Sequence, residues 1–163
     1  LYRDGGEPDG VEVMRRIDEI WQPYHDALAG EVQRIKSAHG HAVLLDAHSI
    51  KSELPWLFDG TLPHLNLGTV DGHSCAPSLR QALIAAMATQ QRFTHVTDGR
   101  FKGGHITRHY GQPVQNVHAV QLEMCWRTYM NEGPPAAWSD GQAAEATPLL
   151  RKLVRTMIDW RAA

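Results

Sequence analysis

Two short polar motifs stand at the ends of apolar runs: Ala42-Val43-Leu44-Leu45-Asp46-Ala47-His48-Ser49 and Val117-His118-Ala119-Val120-Gln121-Leu122-Glu123-Met124. Each run has the β-branched and aliphatic content of a buried strand, and each sets an acid or an imidazole where a parallel strand opens into a cleft. Asp46 and His48 are two residues apart, so on a continuing strand both side chains share a face. An imidazole oriented by a carboxylate suits a metal ligand; a hydrogen-bonded core histidine fits the same pattern equally well. Glu123 ends its strand either in a cleft or paired with a cation, Arg108 or Arg127. In a cleft beside a metal-bound water it is a natural general base that passes the proton to a leaving amine, and the strand-end placement favours this reading.

Between the two motifs, Gly99-Arg100-Phe101-Lys102-Gly103-Gly104-His105-Ile106-Thr107-Arg108-His109-Tyr110-Gly111 crowds glycines, cations and imidazoles together. Glycines let a backbone approach a ligand closely, and a guanidinium there can clamp a carboxylate through two parallel hydrogen bonds. Arg108 and His109 are therefore candidate substrate-binding residues. Asn66 and Thr69 are two more, although each also fits ordinary turn chemistry. Cys125, near Glu123, reads as a bystander thiol in preference to a nucleophile. No Gly-rich phosphate loop and no Gly-x-Ser-x-Gly elbow occurs, so nucleotide binding and serine hydrolysis lack support.

The elements that must position these groups follow from periodicity. Val13, Ile17, Ile20, Trp21, Tyr24, Leu28, Val32 and Ile35 form one stripe of a helix over 11–39, with Asp9 as its cap, Gly40 as its stop and Pro23 predicting a break near Gln22. Strands are expected over 42–46, 93–97 and 117–123. A substrate-covering loop is expected over 49–74 and an active-site loop over 99–111. A helix capped by Ser74 runs to about Gln91. After a linker at Gly133-Pro134-Pro135 comes a last helix over 141–160, with Leu149, Leu150, Leu153, Val154, Met157 and Ile158 inward. This alternation implies one α/β domain over 1–163, with a mostly parallel or mixed central sheet and flanking helices.

The 163 residues, 42% hydrophobic and 21% charged, are enough for one core. A formal charge of −2 gives no electrostatic reason to expect nucleic acid or an anionic membrane as a partner. Two cysteines without Cys-x-x-Cys spacing, no apolar run of membrane-span length and no signal-peptide pattern predict a cytoplasmic protein.

The chain resembles the N-formylglutamate amidohydrolases, or deformylases. The likeness runs through Leu1-Tyr2-Arg3-Asp4-Gly5, Trp21-Gln22-Pro23-Tyr24-His25, Asp46-Ala47-His48-Ser49, Asn66-Leu67-Gly68-Thr69, Gly99 to Gly104, Ile106 to Gly111 and Val117 to Glu123. It implies a fold like that of zinc carboxypeptidases and aspartoacylases, and hydrolysis of N-formyl-L-glutamate to formate and L-glutamate in histidine degradation. By the same likeness His48 is a zinc ligand, Glu123 the general base and acid, and Arg108 a carboxylate-binding residue. Members of the family carry a further N-terminal segment, roughly a hundred residues on the domain-size scale, with a Pro-His-Ser/Ala-Gly motif and a downstream acid. The chain therefore reads as the C-terminal portion of such an enzyme, forming a homodimer or associating with the missing segment. His105 or His109 are candidate substitute ligands. A hydrolase for another N-acyl amino acid or small peptide carboxylate, and an inactive binding module with an anion pocket at Arg108, are the alternative readings.

Overall fold

Asp9 opens the first helix by accepting a hydrogen bond from the Glu12 amide at 2.8 Å, which satisfies one of the free donors of the first turn. In the computed structural model, which describes residues 2–162, this helix has three parts. They are α1 (Gly10–Arg16), a π-helical turn (Ile17–Trp21) and α2 (Gln22–His39). Leu1 of the first family-like motif lies outside the described residues. The wide turn immediately precedes Pro23, the residue that disfavours a regular helix at that point. Gly40 ends α2 in the left-handed conformation, with φ 79°.

The strands are β1 (Ala42–Ile50), β2 (Leu65–Gly68), β3 (His95–Thr97) and β4 (Val117–Cys125), in the sheet order β1-β4-β2-β3. β1 runs parallel to β4 and β2 parallel to β3, whereas β2 and β4 are antiparallel, so the sheet is mixed. Among the described residues no strand pairs along the outer edge of β1.

Val120, Leu122, Leu65 and Leu67 point to one face of the sheet. They pack with α3 (Pro77–Ala88) through Leu79, Leu83 and Met87, and with α5 (Asp140–Asp159) through Leu149, Leu153 and Met157. On the other face lie Asp46, His48, Gln121, Glu123 and Asn66, with α4 (His105–Tyr110) against β4.

Several expectations need correction. The 49–74 stretch is no uninterrupted loop: β1 continues to Ile50, and the central strand β2 lies inside it. Four residues that include an Asn and a Gly carry too little apolar signal to mark a strand. The Gly99–Gly111 segment holds α4. Ser74 does not cap α3; its hydroxyl donates to Ala119 O at 2.7 Å, and the His118 ring accepts from the Ala76 amide at 3.1 Å instead. The supposed inner stripe of the first helix is largely open, with Val13, Ile17, Ile20, Trp21 and Tyr24 exposed and only His25 buried among the described residues. Val154 and Ile158 of α5 are also exposed. The linker forms a small hairpin, β5 (Met130–Asn131) with β6 (Ala137–Trp138).

Candidate active site

Strand register assembles the polar groups. His48 pairs with Glu123, and Glu123 pairs with Asn66, so one rung across β1, β4 and β2 carries an imidazole, a carboxylate and a carboxamide. The adjacent rung carries Asp46, Gln121 and Gly68. Residues two apart on a strand share a face, which puts both rungs on the same side of the sheet.

Glu123 is 6% exposed, and among the described residues its carboxylate forms no ion pair. Burial raises its pKa; the His48 ring opposes that shift and the Asp46 carboxylate adds to it. The alternative pairing with Arg108 or Arg127 is not formed. Arg127 Nη2 donates to Leu62 O, and Arg108 Nη1 donates to Gly103 O, each at 2.5 Å. His48 is half-exposed, and its Nε2 lies 2.9 Å from Asp46 Oδ1, as expected for a strand-end imidazole with an orienting acid.

Asn66 is fully buried. Its Nδ2 donates to Pro63 O at 2.9 Å and to Glu123 O at 3.3 Å, while its Oδ1 has no partner among the described residues. Thr69 is placed differently. Its hydroxyl donates to Asp98 Oδ2 at 2.6 Å and accepts from Gly72 N and Arg80 Nε, so its one proton and both lone pairs are used. Thr69 therefore belongs to a buried Thr69–Asp98–Arg80 network beneath the 69–74 turn, and its hydroxyl has nothing left for a ligand.

α4 carries both other candidates, on exposed positions. His109 stacks on His105 with ring centroids 5.1 Å apart, and both rings lie beside His25 of α2. The Tyr110 hydroxyl donates to His25 O at 3.1 Å, so at the 2.8 Å contact it accepts from His25 Nδ1–H. Burial, then the neighbouring His105 and His109 rings, pull the His25 imidazole below its ordinary value. His109 thus sits in a cluster between α2 and α4, whereas Arg108 is tied to the turn that adjoins Gln121.

Cys125 is a buried bystander, its thiol pushed up to about 11 by burial. Gln121 escaped notice in the sequence. The available signal was its place two residues before Glu123, which fixes it on the same face. Among the described residues no group of three or more His, Cys, Asp or Glu side chains converges to hold a metal ion. The donor set around His48 is thus one imidazole with its orienting acid, and by itself it does not make a metal cage. Neither His105 nor His109 completes it.

Fold and site define a mixed α/β protein whose sheet presents a buried, unpaired carboxylate opposite an oriented imidazole. The family model for N-formylglutamate amidohydrolase matches residues 1–130. The N-formylglutamate deformylase of Pseudomonas aeruginosa is 50% identical over 160 residues, covering 98% of this chain and 60% of that protein. The N-formylglutamate deformylase of Pseudomonas putida is 45% identical over 162 residues, covering 99% and 61%. The crystal structure of N-formylglutamate amidohydrolase from Ralstonia eutropha superposes with TM-score 0.71 at 26% identity, over 91% of this chain and 52% of that one. A protein of Agrobacterium tumefaciens shares the fold, with TM-score 0.65 at 18% identity over 93% and 55%. The chain belongs to the N-formylglutamate amidohydrolase family and spans about 60% of the length of the curated relatives it matches.

Proposed function

We propose that the protein carrying this chain hydrolyses N-formyl-L-glutamate to formate and L-glutamate, as the last step of histidine degradation. The observation that carries this reading is Glu123, a buried carboxylate with no cation partner among the described residues, facing His48 on one rung of the sheet. A carboxylate in that setting holds a proton more readily than one in water, which suits a group that takes a proton from water and returns it to the departing amine nitrogen. Arg108, exposed and anchored at Gly103, binds a substrate carboxylate, and Asn66 braces the backbone of Glu123 from β2.

His48 is offered as one ligand of a zinc ion, held in orientation by Asp46. Among the described residues no group of three or more ligating side chains gathers there. When bound, such an ion polarises the formyl oxygen and acidifies a water. On the family resemblance, the sheet is read as part of a zinc-carboxypeptidase-like fold. The setting is taken as cytoplasmic, in accord with two buried free thiols.

The test is formate release from N-formyl-L-glutamate by the whole protein with added zinc, with Glu123→Ala as control. Release that disappears in the control supports the reading. A parent that releases no formate from this substrate overturns it.

A further inference from the structure

The segment Lys102-Gly103-Gly104 lies directly on the sheet, and its contacts are specific. Val70 N donates to Lys102 O at 2.6 Å, and Gly104 N donates to Gln121 Oε1 at 2.6 Å. A Cβ built at Gly68 would meet Gly103 N and the Lys102 carbonyl carbon at 2.7 Å each, so the turn rests on bare β2 backbone. Gly103 itself has φ 121°, a conformation that side-chain-bearing residues rarely adopt. Arg108 Nη1 then donates to Gly103 O at 2.5 Å. The guanidinium is tied to the same turn that Gln121 holds, and Gln121 shares a strand and a face with Glu123.

We propose that Gln121 is a positioning residue that sets Arg108 relative to Glu123. Its Oε1 fixes the Gly103–Gly104 turn, and the Gly103 carbonyl in turn fixes the guanidinium, so substrate carboxylate and scissile amide are registered through one side chain. The inference rests on the proposed carboxylate-binding role of Arg108. The residue type fits the task. A Leu or Met at 121 would strand the Gly104 amide without an acceptor. A Glu would keep an acceptor but add a third carboxylate beside Asp46 and Glu123, pushing their acidities apart. A neutral carboxamide accepts the bond and adds no charge.

The experiment is a double-mutant cycle in the whole protein: Gln121→Met, Arg108→Ala and both together. KM and kcat are measured on N-formyl-L-glutamate, and Gly104 amide exchange is followed in each variant. Gln121→Met is expected to raise KM about ten-fold while kcat changes less than about three-fold. Its Gly104 amide should exchange at least about ten-fold faster. In the Arg108→Ala background the same change should move KM by less than about two-fold, because the effect passes through Arg108. Gln121→Glu, which retains the acceptor, is expected to keep KM within about three-fold of the parent and Gly104 protected while kcat falls; it also serves where Gln121→Met does not fold.

Additive KM effects, a parent-like KM in Gln121→Met, unchanged Gly104 exchange, or a ten-fold KM rise in Gln121→Glu would each overturn the inference. A parent with no turnover sinks the proposed reaction and not the clamp. The same cycle is then read from the dissociation constant for L-glutamate by calorimetry, and a parent that does not bind L-glutamate sinks both.

Discussion

His48 and Glu123 face one another across the parallel pair β1 and β4, on one rung and one face of the sheet, with Asn66 completing the rung from β2. The carboxylate is buried and the imidazole half-exposed, so the pair is graded from interior to solvent. Glu123→Gln keeps the volume and removes a buried charge that no cation among the described residues balances. In the whole protein it is expected to lower kcat at least about 100-fold while leaving KM within a few-fold, with no loss of thermal stability. Steady-state kinetics and a melting curve check both, and an unchanged kcat would remove Glu123 from the chemistry.

Gly68 is a second point where one atom matters. A methyl group there meets the Lys102–Gly103 peptide bond at 2.7 Å, and backbone does not yield as a flexible side chain does. Gly68→Ala is expected to destabilise the protein by about 2 kcal/mol, in the range of overpacked cores, and to raise KM along with it. Denaturant unfolding together with KM reads the result.

Asp98 accepts from the Thr69 amide and hydroxyl, each at 2.6 Å, and from Arg80 Nη2 at 2.9 Å. Burial alone would push this carboxyl up; the bonds from Thr69, Arg80 and the Asp71 amide outweigh it and hold the group below its ordinary value. Its stabilising contribution is therefore complete above the unfolded value of about 3.9 and is lost as pH falls through the lower folded value. Asp98→Asn is expected to cost about 3 kcal/mol at pH 7, and the gap from the parent should close in acid. Urea titrations at pH 7 and pH 3 measure both.

His118 also costs stability as pH falls, but at a higher pH because it is an imidazole. Its Nδ1 accepts from the Ala76 amide, so the proton sits on Nε2, which is buried and without a partner among the described residues. Burial first, then the nearby His41, holds this imidazole below its ordinary value of about 6.5. Stability is full above that value and falls as pH drops through the folded one. Tm is expected to decline between pH 7.5 and 5.5, and to decline less in His118→Gln, with His25 and His64, also shifted down, carrying the remainder. Equal slopes in parent and variant would show that His118 does not contribute.

The site was legible where it lies in long strands. The apolar runs that open at Ala42 and Val117 put Asp46, His48 and Glu123 at strand ends, and register then made them neighbours. β2 was not legible, because a central strand of four residues takes its stability from neighbours on both sides and not from its own pattern. Thr69 misled for a related reason: its hydroxyl is consumed by Asp98 and Arg80, contacts 29 and 11 residues away in sequence. The stripe of α1 and α2 obeyed helical periodicity, yet periodicity says that a face is apolar and not what covers it.

The open edge of β1 has a consequence for solubility. Among the described residues, alternate positions of this nine-residue strand turn unpaired amides and carbonyls outward, a template on which another strand can grow. Asp46 and His48 are the ionisable side chains on that strand, and charges on an edge strand discourage such growth. The two residues read as chemistry are therefore also gatekeepers against aggregation. Loss of activity in His48→Ala then has two causes to separate, and sedimentation of the variant alongside its assay tells a missing ligand from a strand that has found the wrong neighbour.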